Sequence, residues 1–173
     1  MPRVPSNYKL LTVTPAVQAT PDYAAGDVLF APTEIPNFFP TTDSAAQIVS
    51  ICIIDKQVVG THDFTLYFTK STTALGEINA TADVSIGTLE EIQATIPIVN
   101  GDWIAGGGAW SVDLANICTL TDPSVDGIGS VVSSYNWART AKSTSLHIVG
   151  IAGETMNVAS TSDLIIKIGV KYQ

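Results

Sequence analysis

The sequence predicts an all-β protein. The expected architecture is an antiparallel β-sandwich, with a jelly roll as the leading topology and an extended proline-rich arm at its N-terminal end. Three observations predict it. Short apolar segments alternate with polar residues at a period of two, best seen in Leu164, Ile166, Ile168 and Val170 interleaved with Ile165, Lys167, Gly169 and Lys171. Some eight such segments are broken by Gly, Pro, Asn and Asp turns. Seven of the nine prolines fall in the first forty residues. Proline lacks an N–H and fixes φ, which bars that stretch from a central strand or a helix interior.

Taken in order, residues 1–45 form the arm, within the same domain as a sandwich over 46–173. Short strands are expected at Tyr8–Val13 and Asp27–Phe30. The loop Ile35–Thr42 carries Phe38 and Phe39, which should bury against the core or a neighbouring subunit. The stretch from Ala46 to Ser71 anchors the chain as two strands around a polar, Gly-containing connection. Its first strand, with Ile48, Val49, Ile51, Ile53 and Ile54, is so continuously β-branched that both faces should be covered. Its second places Phe64, Leu66 and Phe68 on one face and Thr65, Tyr67 and Thr69 on the other.

Thr72–Glu91 lacks clear periodicity. Thr88 and Glu91 have the spacing of a capping box, so one short helix or 3₁₀ turn fits there. Ile92–Val99 reads as a strand, and Pro97 puts it at an edge or a bulge. The stretch GDWIAGGGAW should turn, Trp110–Leu120 should form a strand, and TDPSVDGIGS is built of turn residues. Leu146–Ala152 is a further strand.

One domain suits 173 residues, and a β-domain of this size buries a core without disulfides or metal. Charged residues make up 14%, against about 25% in ordinary soluble domains. Much of such a surface can meet something other than water. The net charge of -8 disfavours nucleic acid and anionic membrane as partners. The charge is unevenly placed. Between Lys70 and Arg139 there are eight acids and no base. Residues 1–70 carry four bases and six acids, and residues 139–173 four bases and two acids. The expectation is an acidic solvated middle, with the ends toward a partner. Cys52 and Cys118 read as small buried hydrophobes, although a disulfide is not decided by sequence. No apolar leader region or membrane-length run occurs, which points to synthesis in the cytoplasm.

The search for chemistry ends without a catalytic, cofactor or metal site. His62 and His147 have no zinc-ligand spacing around them. Asp122, Asp126 and Gly127 lack the spacing of a calcium loop. His147 stands near Ser145, but there is no nucleophile elbow. Glu90 and Glu91 are adjacent rather than paired across a cleft. Gly106, Gly107 and Gly108 are followed by no phosphate-loop lysine. Trp103, Trp110 and Trp137 could make a sugar platform, though core packing explains Trp110 better.

The stretch from Tyr23 to Leu29 (YAAGDVL) resembles a recurrent early element of bacteriophage virion proteins. In those chains, as here, there follow a strand ending in Asp-Lys (Ile48–Lys56), an L-Y-F strand (Thr65–Thr69) and a closing Leu-rich alternating strand (Asp163–Tyr172). The resemblance implies an accessory head protein of the decoration or cement type on the virion surface. Such proteins often assemble as trimers on the major capsid protein shell, and the family has no catalytic residues to transfer. Expected partners are the major capsid protein and further copies of the chain. The alternatives are a tail, fibre or baseplate component, or a carbohydrate-binding module.

Overall fold

Ten strands and one helical turn are placed among the described residues of the computed structural model. It describes residues 7–42, 44–56, 62–99, 103–105, 110–115, 137–138, 143–158 and 160–172. The elements are β1 (Tyr8–Val13), β2 (Val28–Ile35), β3 (Ala45–Asp55), β4 (Phe64–Thr69), α1 (Ile86–Leu89), β5 (Ile92–Ile98), β6 (Trp103–Ala105), β7 (Trp110–Ala115), β8 (Trp137–Ala138), β9 (Leu146–Ala152) and β10 (Leu164–Tyr172).

They make two antiparallel sheets. Sheet 1 runs β1-β10-β3-β7-β6, with β8 also paired to β3, and sheet 2 runs β2-β9-β4-β5. The expected antiparallel β-sandwich is what forms. Its pairing is nested. β1 pairs with β10, β2 with β9, β3 with β7 and β4 with β5. The chain is thus one long antiparallel ribbon whose far tip is β4–β5. Winding the ribbon adds the pairs β10–β3 and β4–β9.

In sheet 2, proline marks the strands that lie outermost. β2 contains Pro32, β5 contains Pro97, and both are edges of sheet 2. An edge strand tolerates the missing N–H because one side of its backbone needs no partner strand. The described part of the leader is held to the sandwich. β1 edges sheet 1, while Val17, Tyr23, Phe38 and Phe39 are buried in the main core. Tyr23 Oη–H donates to the Leu29 carbonyl at 2.8 Å and accepts the Gln18 N–H. The rings of Phe38 and Phe39 meet edge to face, with centroids 4.9 Å apart.

The β-branched run of β3 is not covered equally on both faces. Ile51, Ile53 and Asp55 point inward, as do Ala46 and Ile48, two sets of opposite parity. The register explains the switch. Gly169 pairs with Ser50 and Val170 with Ile48, so Val49 is an extra residue at a bulge. Val49, Cys52 and Ile54 are half-buried on the outward face, so Cys52 departs from the buried-thiol expectation. Cys118 lies outside the described residues.

In α1 the cap is Ser85, not Thr88. Extended backbone at Ser85 (ψ 164) lets its hydroxyl accept the Thr88 N–H, one turn earlier than the Thr88–Glu91 spacing predicts. The expected turn over GDWIAGGGAW includes a strand, because Trp103–Ala105 pairs with β7. Of the expected strand Trp110–Leu120, residues 110–115 are described. Val112 and Leu114 pair in register with Ile53 and Ile51.

Candidate functional site

Three places collect chemistry-bearing or exposed residues. The first surrounds His62, just before β4. Its Nε2 lies 3.6 Å from Asp55 Oδ2 and its Nδ1 3.8 Å from Glu154 Oε1. Both distances exceed a hydrogen bond, and Nε2 has no hydrogen-bond partner. The backbone here is held firmly. Trp103 Nε1–H donates to the His62 carbonyl at 2.9 Å, Asp63 N–H to Glu154 Oε1 at 3.1 Å, and Gly153 N–H to the Asp63 carbonyl at 2.8 Å. These bonds tie the start of β4 to the β9–β10 connection. His62 is 6% exposed, so its ring offers a solute no approach. Trp103 is 7% exposed and packs against Phe64, with centroids 6.2 Å apart. Its ring therefore belongs to the core and not to an exposed sugar platform.

The second place is the end of β2 and start of β9, where Glu34 faces His147 in register. Ser145 Oγ–H donates to Glu34 Oε1. The hydroxyl is therefore spent on the carboxylate rather than poised on the imidazole, and a nucleophile–base pair is not formed. Burial pushes the His147 pKa down, and the Glu34 charge partly opposes that. His147 Nδ1 has no hydrogen-bond partner.

The third place is the outside of the sandwich, where the two sheets differ. The outward positions of sheet 2 include Val28, Val149, Ile151 and Tyr67. The segment following β4 folds back over them. Leu75, Ala82 and Val84 pack there to form a second apolar cluster. Bridges of Ile78 to Val28 and of Thr81 to Asp27 fix this cover at the β2 edge. Burial beneath it pushes the Tyr67 phenol up. The charged residues of the cover are all acidic. Residues 71–91 contain Glu77, Asp83, Glu90 and Glu91 and no base. At its end α1 holds Ile86 80% exposed and Leu89 51% exposed.

Sheet 1 presents a different outward face. Its rows read Tyr8, Lys171, Gln47; then Leu10, Gly169, Ser50; then Thr12, Lys167, Cys52; then Ile165, Ile54. Tyr8 crosses Gly169 to reach Ser50 Oγ at 3.3 Å. A Cβ at Gly169 would fall 2.3 Å from both hydroxyls. The charges at these register positions are Lys167 and Lys171, and β7 continues the third row with Asp113 opposite Cys52. Lys9 is exposed at the rim, and Leu10 is 55% exposed. Among the described residues, the cover of sheet 2 carries Glu77, Asp83, Glu90 and Glu91, with Lys70 Nζ on the Glu90 carbonyl at 3.0 Å, and sheet 1 carries Lys167 and Lys171 together with Asp113.

Among the described residues, no three His, Cys, Asp or Glu side chains gather as metal ligands. Asp122, Asp126 and Gly127, the glycines 106–108, and the side chains of Trp110 and Trp137 lie outside the described residues. Sequence reasoning missed Leu10, Ile86 and Leu89. A clue was the Ile-Gly-Thr-Leu turn set among acids, apolar residues with no periodic face to hide on.

No family model matches the chain, and no curated protein matches it. Among solved structures, a mutant VP2 protein of infectious bursal disease virus, from derived T=1 particles, aligns at 14% identity. The alignment covers 95% of this chain and 39% of the viral one, with a TM-score of 0.21. A likeness that low carries no argument about fold or role.

Proposed function

We propose that this protein is a structural component of a bacteriophage virion that decorates the capsid. It binds the major capsid protein at subunit joints as a homo-oligomer, with a trimer as the expected assembly. In this reading it acts by burying surface, with no bond made or broken.

The observation that carries the proposal is the nested pairing of the strands. Four strands of sheet 1, in the order β1-β10-β3-β7, face four of sheet 2, in the order β2-β9-β4-β5. We read this wound ribbon as a jelly roll, an arrangement used by viral capsid and lectin domains. Fold by itself does not decide function. The surface supports the viral use over the sugar-binding one. Trp103, one of the residues a sugar platform would need, is in the core. The chain has few charges, and sheet 1 presents a broad outward face of mixed apolar and lysine character. Such a face suits burial against a shell. The leader enters the reading through β1, an edge strand able to extend a neighbouring sheet.

The test is binding to expanded, empty capsids. Saturable binding at a fixed copy ratio to the major capsid protein is expected. Absence of binding, with the protein fractionating among tails, overturns the decoration role in favour of a tail component.

A further inference from the structure

Among the described residues, the two most exposed apolar sites sit at opposite edges of the sandwich. β1 is outermost in sheet 1 and lies beside β2, which forms one edge of sheet 2. α1 leads directly into β5, the other edge of sheet 2. At the β5 edge, Ile86 and Leu89 are flanked by exposed Asp83 and Glu90, with Lys70 Nζ donating to the Glu90 carbonyl at 3.0 Å. At the β1 edge, Leu10 has exposed Lys171 one pair along on the outward face and exposed Lys9 next to it in the strand, on the other parity. Each is an apolar centre with charge beside it, net acidic at the α1 turn, where Asp83, Glu90 and Glu91 outnumber Lys70, and basic at the β1 edge.

We propose that copies of this chain associate head to tail, the Ile86–Leu89 turn of one docking on the Lys9–Leu10–Lys171 edge of the next. Burying Ile86 against Leu10 removes apolar surface from water, and the flanking acids meet lysines. A symmetric contact is disfavoured at either edge. Two β1 edges side by side bring lysines against lysines, and two α1 turns bring acids against acids. Complementary patches on different edges make a heterologous contact, which closes into a ring or runs open according to the rotation it imposes. The inference deepens the homo-oligomer part of the proposed function, but it requires only a second copy.

Sedimentation velocity of the whole chain between about 1 μM and about 1 mM, at low and high salt, tests it. The wild type should associate, less so at high salt. Asp83→Lys with Glu90→Lys should weaken association more than about tenfold, as should Lys9→Glu with Lys171→Glu. All four substitutions together exchange the signs on both edges and should restore association. Ile86→Ser with Leu89→Ser should abolish it at either salt concentration. Circular dichroism confirms that each variant is folded. A monomeric wild type throughout the range, or a fourfold variant that associates no better than the twofold ones, overturns the contact. Capsid binding is scored separately. A monomer that saturates capsids defeats this contact and leaves the decoration role standing. A protein that associates but ignores capsids does the reverse.

Discussion

The outer faces of the two sheets solve the same problem differently. Sheet 2 has apolar residues at its outward positions and needs a cover, which Leu75, Ala82 and Val84 supply from the segment after β4. Sheet 1 has Lys, Gln, Ser and Thr among its outward positions, and its described part carries no comparable second apolar cluster. An antiparallel sheet tolerates one wet face, whereas a sheet apolar on both sides must be packed on both. The difference teaches where this protein has surface to offer. The sheet 2 side has used the outward apolar residues of its strands internally and shows acids, with Ile86 and Leu89 left exposed at the end of the cover. The sheet 1 side keeps Lys167 and Lys171 on its β10 strand and an exposed leucine at its edge.

The sharpest way to break the comparison is to truncate one residue on each side. Leu75→Ala should cost about 2–5 kcal/mol, because a fully buried leucine leaves a cavity under the cover. Leu10→Ala should stay within about 0.5 kcal/mol, since its side chain is half in water already. Urea denaturation of both variants reads the contrast. Equal losses would mean that the sheet 1 edge is as structurally committed as the cover.

The glycines give a second contrast. A Cβ at Gly150 would lie 2.5 Å from the buried Phe30 ring, so Gly150→Ala should cost about 1–3 kcal/mol by overpacking. At Gly169 the obstructing atoms are the Tyr8 and Ser50 hydroxyls, ends of side chains that can swing away. Gly169→Ala should therefore cost less than Gly150→Ala when the two midpoints are compared. A third variant probes the leader. Tyr23→Phe removes the donor to the Leu29 carbonyl and the acceptor of the Gln18 N–H, and should cost about 1–2 kcal/mol by the same measurement.

The smallest effect is in pH. Burial holds the His147 pKa below its ordinary value. As pH falls through about 6.5, the unfolded chain takes up a proton that the folded chain resists. Stability should therefore fall on acidification below that point and be retained above it. His147→Gln should flatten this dependence, and Glu34→Gln should steepen it by removing the charge that favours the imidazolium. Unfolding midpoints of the three proteins from pH 7.5 down to about pH 5.5 check the sign.

Much of the strand content was readable because alternation is a local property. β10 and β4 announce themselves through residues two apart, and Pro32 and Pro97 mark edge strands by what they cannot donate. β3 misled because the bulge at Val49 switches the parity of its inward residues. A run that changes phase looks like one buried on both faces. The chemistry around His62 was not readable. Asp55, His62 and Glu154 come together only when β3, the start of β4 and the β9–β10 connection are assembled.

By itself, then, the sequence determined that this chain forms strands, that Pro97 keeps its strand from the middle of a sheet, and that the stretch between Lys70 and Arg139 carries acids without a base. Side-chain period, proline and charge order all act within a few neighbouring residues. Tertiary structure alone decided that β1 pairs with β10, that residues 71–91 cover sheet 2, and that an acidic apolar turn and a basic apolar edge end on opposite sides. Those outcomes depend on pairings between 50 and 163 residues apart, and no local pattern encodes which strand an open edge will meet.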